Sequence, residues 1–187
     1  MLCGQIHADA EVHPTAVVEK GAAIGLGCII GPYAHIHACV IIGRNVHVGA
    51  STVIGHDGFG YERDGSGRPQ HFPHLGRVII EDDVNIENLC SSDGGVLQDT
   101  HIRDSVKIDD HAYIAHNVTV EANTLVMSGV RLNGRIRVGV GCWIGPGARV
   151  REGCCIGDRA VVGMGSVVVR DIPVGKTVAG NPARITE

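Results

Sequence analysis

Tyr113-Ile114-Ala115-His116-Asn117-Val118 sits in a run where an aliphatic residue returns at every sixth place. The run comprises Ile102, Ile108, Ile114, Val120, Val126, Leu132, Val138, Ile144, Val150, Ile156, Val162 and Val168. Two residues before most of these rungs comes a second small or apolar residue, as at Ala112, Val118, Val130, Cys142 and Ala160. A helix needs apolar spacing near 3.6 residues and a half-buried strand alternates at every second residue, so neither produces a strict six with glycine or polar residues between. The pattern is that of a parallel β-solenoid, in which each hexapeptide is one short strand plus a corner and three close a triangular coil. His116 then stands at a corner, two residues past its rung.

Working outward, the first part of the chain repeats the pattern at Ile6, Val12, Val18, Ile24, Ile30, Ile36, Ile42, Val48 and Ile54. A glycine follows the rung at Gly25, Gly31, Gly43, Gly49 and Gly55, as expected of a recurrent tight corner. The register breaks between Ile54 and Ile80. Residues 55–77 are too polar and too rich in Gly and Pro for a coil and read as a loop thrown out from a corner. This loop holds both phenylalanines, Phe59 and Phe72, and Tyr61 as well. Gathering scarce aromatics in a long loop points to a binding wall. Rungs resume at Ile80 and Ile86, and an irregular piece from Ser91 to Thr100 leads into the second ladder. Residues 169–187 read as an extended cap over the last coil, with Pro173 and Pro182 stopping further pairing. The expectation is one domain over residues 1–187, with roughly 23 rungs in seven to eight coils.

Composition agrees. Aromatic content is 3%, which suits a narrow prism with room for Ile, Val, Ala and Cys but little for rings. A net charge of −4 with no basic run argues against nucleic acid as a partner. No apolar run approaches the roughly 20 residues of a membrane span, and Met1-Leu2-Cys3-Gly4-Gln5 has no basic start or apolar core of a signal peptide. The seven cysteines are odd in number and form no CxxC, and Cys28, Cys142 and Cys154 fall at inward positions as small reduced core residues. A reducing, cytoplasmic location follows. His7, His13, His35, His37 and His47 follow no recognisable ligand spacing and read as solvated strand faces.

The blocks Ile54-Gly55-His56-Asp57-Gly58-Phe59-Gly60-Tyr61, Phe72-Pro73-His74-Leu75-Gly76-Arg77-Val78 and Ile114-Ala115-His116-Asn117 stand in that order. Within the period-six ladder, they make the chain resemble the hexapeptide-repeat acyltransferases, and among them the UDP-3-O-acylglucosamine N-acyltransferases of lipid A synthesis. That resemblance implies a left-handed parallel β-helix and a homotrimer with active sites between subunits. It also implies acyl transfer from a thioester donor, acyl-CoA or acyl carrier protein, to the amine of a nucleotide-linked amino sugar, with no permanently bound cofactor or metal. It carries His116 as the catalytic base, Asp109 as its acidic partner and a glycine at position 134. Phe59, Gly60, Tyr61, His74 and Asn117, from the three blocks, become candidates for substrate contact, with the loop expected over a neighbouring subunit's His116. The chain departs from the family in three places. The ladder already runs at Ile6, where the family has an N-terminal domain holding the uridine ring. Asp93-Gly94-Gly95 stands in place of Asp-Arg-Gly, and Val178-Ala179-Gly180-Asn181-Pro182-Ala183-Arg184 resembles instead the closing motif of CoA-dependent sugar acetyltransferases.

The chemistry asks for the same residue types. A thioester is attacked poorly by an ammonium, so a base must remove a proton and a donor must steady charge on the carbonyl oxygen. Histidine titrates near neutrality and suits the first task. Gly134 follows His116 by 18 residues, one full coil, so its N–H stacks beside the histidine as a candidate oxyanion donor. Two other readings share the ladder. The β-helical carbonic anhydrases hold zinc through three histidines, two of them five residues apart, and His111 and His116 have that spacing with His71 or His74 as a third. A non-catalytic scaffold would use neither histidine.

Overall fold

The computed structural model describes residues 4–186, so Cys3 and the amino-terminal signal-peptide reading fall partly outside the described residues. All named elements are β-strands, and no helix is long and apolar enough to cross a membrane. Three sheets of ten, eight and seven strands form the faces of a left-handed parallel β-helix, and a separate two-stranded hairpin stands off them.

The hexapeptide period becomes a pairing register. Leu132 pairs in parallel with Ile114 on one side and Val150 on the other, 18 residues away each time. Every rung therefore lies on the rung three hexapeptides earlier, and Ile102, Ile114, Leu132, Ile144 and Val162 are all sealed from solvent. The residues two places before the rungs are equally buried, with Val118, Thr124, Val130 and Ala148 at 0% exposure. The inward cysteines Cys28, Cys142 and Cys154 are buried and unbridged, as expected. Burial raises the pKa of all three thiols, which keeps them protonated and inert.

Two insertions interrupt the register. Val40–Ile42 pairs with Val78–Ile80, so the offset grows from 18 to 38 and 20 extra residues leave the stack. Val78–Ile80 then pairs with Thr100–Ile102 at an offset of 22, which adds four more. Between them the piece that reads as irregular is partly a strand. Ser91–Asp93 stacks between Val53–His56 and Tyr113–Ile114, with Ser92 buried at a rung position and a bulge between Ser92 and Asp93. The large insertion carries the hairpin Tyr61–Arg63/Pro69–His71, whose turn is tied down by Asp64. The Asp64 carboxylate accepts hydrogen bonds from the Ser66 hydroxyl and from the Arg68 and Ser66 N–H groups, which lower its pKa to about 2.

The corners correct one expectation. The residue in the left-handed backbone region comes three places after the rung, as at Asn45, His111, Asn117, Asn123 and Arg135. Gly25, Gly31, Gly43 and Gly49, one place after the rung, are there for space instead; a Cβ on Gly25 would run into the Gly43 carbonyl. The ladder also runs past Val168. Ile172 bridges to Ile156 and Thr177–Gly180 pairs in parallel with Val161–Val162, so Pro173 does not end pairing. The chain then reverses, and Ala183–Ile185 closes the sheet antiparallel to Thr177–Gly180.

Threonine at an inward position bridges the corner backbone. The Thr124 hydroxyl donates to Gly139 O at 2.8 Å and accepts from Cys142 N–H at 3.0 Å, fully buried. Thr124→Val keeps the shape but leaves both groups unpaired, so it is expected to cost about 1–3 kcal/mol. Urea unfolding of the two proteins measures this.

Candidate active site

The corner that follows the eight-stranded face brings the site residues together. His116 is half-buried, and its ring lies over Gly134 so closely that a Cβ there would sit 2.6 Å from Nε2. His116 Nδ1 is 3.1 Å from Asn117 Oδ1. Asn117 is itself oriented: Nδ2 donates to Gln98 O at 2.6 Å, and Oδ1 accepts from Val96 N–H at 3.2 Å. With Oδ1 facing the ring, Nδ1 must carry the proton, and neutral His116 keeps its lone pair on Nε2.

Gly134 offers the complementary group. The corner N–H two places past a rung is capped by a carboxylate at Ala38 (Glu19), Arg44 (Asp82), Ser128 (Asp109) and Val140 (Asp158). No protein group among the described residues accepts the N–H of Gly134. The same comparison explains Asp109. One of its oxygens accepts from Ser128 N–H at 3.1 Å and the other from Asp110 N–H at 2.8 Å. No hydrogen bond or ion pair joins Asp109 to His116 within the chain, so here Asp109 holds a corner.

The excursion loop returns onto the His116 of its own chain, where the sequence led us to expect a neighbour's. The His74 ring lies 5.5 Å from the His116 ring, and its two nitrogens are buried with no hydrogen-bond partner. Burial, followed by the nearby His116, lowers the His74 pKa and keeps the ring neutral. Gly60 is required under this arm, because a Cβ would meet both His74 and Phe72 at 2.9 Å. Farther out, Phe59 and Tyr61 pack ring to ring at 4.8 Å with Phe59 87% exposed, and with Pro69 they line an open hollow. The four-residue insertion buttresses the arm: Leu75 N–H donates to Val96 O and Gly76 N–H to Gly95 O, each at 2.8 Å.

A second polar cluster under the loop escaped sequence reasoning. Asp93, at 0% exposure, accepts from the Tyr113 hydroxyl at 2.6 Å through Oδ2. His56 Nε2 lies 2.9 Å from Asp93 Oδ1 and 2.9 Å from the Ser91 hydroxyl. The Asp57 carbonyl, 2.7 Å from Nδ1, takes the ring N–H, so neutral His56 accepts from the Ser91 hydroxyl at Nε2, and Asp93 Oδ1 lies beside the ring with no aligned hydrogen bond. Contact with the Asp93 carboxylate raises the His56 pKa, and burial followed by Asp93 pushes the Tyr113 hydroxyl well above its usual value. The signal that could have exposed Asp93 is the rung count: Ser92 occupies a place where an aliphatic residue was sought.

The zinc spacing does not assemble within the chain. His111 is exposed at a left-handed corner, and among the described residues it forms no group of metal-ligating distance with His116, His71 or His74.

Residues 24–56 and 135–170 match the family model described as bacterial transferase hexapeptide (six repeats). The chain belongs to that hexapeptide-repeat family. It is 34% identical over 142 residues to a UDP-3-O-acylglucosamine N-acyltransferase of Anaeromyxobacter dehalogenans, a match covering 73% of the chain and 40% of that protein. A protein of the same name from Coxiella burnetii is 36% identical over 157 residues, with 62% of the chain and 44% of that protein covered. The chain thus spans about two fifths of the length of these relatives. Among solved structures, the UDP-N-acetylglucosamine acyltransferase of Campylobacter jejuni superposes over 97% of the chain and 74% of its own, with a TM-score of 0.79 at 21% identity. A UDP-N-acetylglucosamine acyltransferase of Bacteroides fragilis does so over 97% and 74%, with a TM-score of 0.75 at 17% identity. Both show the shared fold.

The His56 shift has a definite sign. A group whose pKa is raised by folding adds stability in full below its ordinary value of 6.5, and loses that contribution as pH rises through the folded value. The stability difference between wild type and His56→Gln is therefore expected to be larger at pH 6 than at pH 8.5, as read by urea midpoints at the two pH values.

Proposed function

We propose that the chain transfers an acyl group from a thioester, acyl-CoA or acyl carrier protein, to the amine of a nucleotide-linked amino sugar. The observation that carries this reading is the pairing of a histidine whose free lone pair is on Nε2 with an uncapped backbone N–H directly beside it. The similarity to the UDP-3-O-acylglucosamine N-acyltransferases supports the substrate class. His116 Nε2 takes a proton from the acceptor nitrogen as that nitrogen attacks the thioester carbonyl carbon. The negative charge on the carbonyl oxygen is held by the Gly134 N–H. Collapse of the tetrahedral intermediate breaks the C–S bond, and the proton on His116 passes to the leaving thiolate.

The loop supplies the acceptor side. His74, neutral and with both nitrogens unspent, offers one donor and one acceptor to a sugar hydroxyl or the amine. Phe59 and Tyr61 offer ring faces for the nucleotide. Asn117 acts through His116 by holding its tautomer, so it is a positioning residue. The working assembly in this reading is a cytoplasmic homotrimer, which light scattering at micromolar concentration tests directly.

His116→Ala is expected to lower kcat by about 10² to 10⁴ with little change in donor affinity, the range for loss of a general base. His111→Ala is expected to be nearly silent. Steady-state assays with acyl-CoA and UDP-amino sugars check both, together with metal analysis of the purified protein. Stoichiometric zinc lost in both variants would replace this reading by the zinc-hydratase one.

A further inference from the structure

Three coils from His116 along the same face, Glu19, His35 and His37 form a cluster that the acyl-transfer chemistry does not use. We propose that Glu19 Oε1, His35 Nε2 and His37 Nδ1 form a binding site for a divalent transition-metal ion of the zinc class, which clips the first coils of the solenoid together. His35 Nε2 lies 2.9 Å and His37 Nδ1 3.2 Å from the same Glu19 oxygen, and the three atoms lie within 4.8 Å of one another. Two imidazoles and one carboxylate suit zinc and its neighbours, whereas magnesium and calcium take oxygen ligands. Three protein ligands leave a coordination position for water.

The positions follow from the solenoid. His35 and His37 flank the inward rung Ile36, so both side chains project from the same outer face, and their rings stack at 4.2 Å, 12° from parallel. Glu19 follows the rung Val18 on the coil before, and Val17–Val18 pairs directly with His35–Ile36. The other Glu19 oxygen accepts from Ala38 N–H at 2.8 Å, an outer contact that holds the carboxylate in place for ligation. That hydrogen bond, then the one with His35, lowers the Glu19 pKa, and burial lowers that of His37; both shifts favour the forms that bind metal.

The clip falls where the core is thinnest. Val12 and Val18 are only half-buried, while the rungs from Ile24 onward are sealed. A metal joining Glu19 to His35 and His37 ties this open coil to the next, so its binding energy adds to the stability of that end.

The test uses the full chain, stripped with EDTA and titrated with zinc chloride in a calorimeter at pH 7.5. The expected result is one ion per chain with a Kd on the order of a micromolar or below, proton release and a raised Tm. Glu19→Gln, His35→Ala and His37→Ala are each expected to weaken binding by more than about tenfold, the lower end for loss of even an outer partner. His116→Ala and Cys39→Ser, the latter removing a nearby exposed thiol, are expected to leave binding unchanged. Cobalt(II) added to the wild type reads the ligand set without any variant: visible d–d bands with no thiolate charge-transfer band are expected, and two histidine rings shift in the NMR spectrum. Affinity no tighter than about a millimolar, a thiolate band, or stoichiometric binding that survives the double change His35→Ala/His37→Ala would each overturn the proposal. None of these outcomes depends on acyl transfer, so this site and the proposed activity stand or fall separately.

Discussion

The parallel pairing of coils at an offset of 18 residues is the constraint from which the rest of this molecule follows. It forces an aliphatic side chain onto another at each rung, as Ile114, Leu132 and Val150 show, and leaves room for little else between them. It also fixes the corners. A residue two places past a rung lies directly beside the residue 18 places on, so His116 and Gly134 meet through the period itself. A globular enzyme must bring such groups together by long-range folding; here stacking neighbours supply them coil by coil.

The excursion adds to the prism a hollow lined by Phe59, Tyr61 and Pro69. The 20-residue excursion would be an unsupported flap if it stood alone. The four-residue insertion lies against its return arm, and Asn117 holds the 96–98 backbone in turn. One asparagine thereby couples the tautomer of His116 to the wall that carries His74. Beneath the wall, the bulge after Ser92 turns Asp93 inward. A carboxylate at 0% exposure is costly unless paired. Tyr113 and His56 meet that cost, and the cluster fastens the start of the loop to the stack.

Much of this was legible in the sequence, and the illegible part has a common cause. Aliphatic spacing is a direct imprint of coil stacking, so the solenoid, the excursion loop and the corner position of His116 could be read from it. Ser92 hid a rung because a polar residue there breaks the apolar pattern without breaking the strand. The ladder beyond Val168 was hidden by Pro173, whose missing N–H removes no ladder bond because its face of the stack ends at the Ile156–Ile172 bridge. Asp109 resembled a partner for His116 because sequence cannot show that both its oxygens face backbone N–H groups. The loop's landing place depends on the path of residues 72–77 over the 94–98 turn, and no period encodes that path.

The contrast among corners says most about how a structural repeat becomes an active site. Where the corner N–H is capped, the carboxylate comes either from the coil before, as with Glu19 and Asp109, or from the coil after, as with Asp82 and Asp158. For Gly134 the matching places are Ala115 and Glu152. Ala115 is buried and has no oxygen to give. Glu152 turns away to Arg135, 2.5 Å from its guanidinium. Both caps are thus withheld at the one corner that faces the His116 ring. A carboxylate at position 115 would satisfy the Gly134 N–H and place a negative charge where the carbonyl oxygen is proposed to develop its own. Some corners gain a cap from the fold; this one has none, and the unspent hydrogen-bonding capacity of its N–H is left for the proposed substrate.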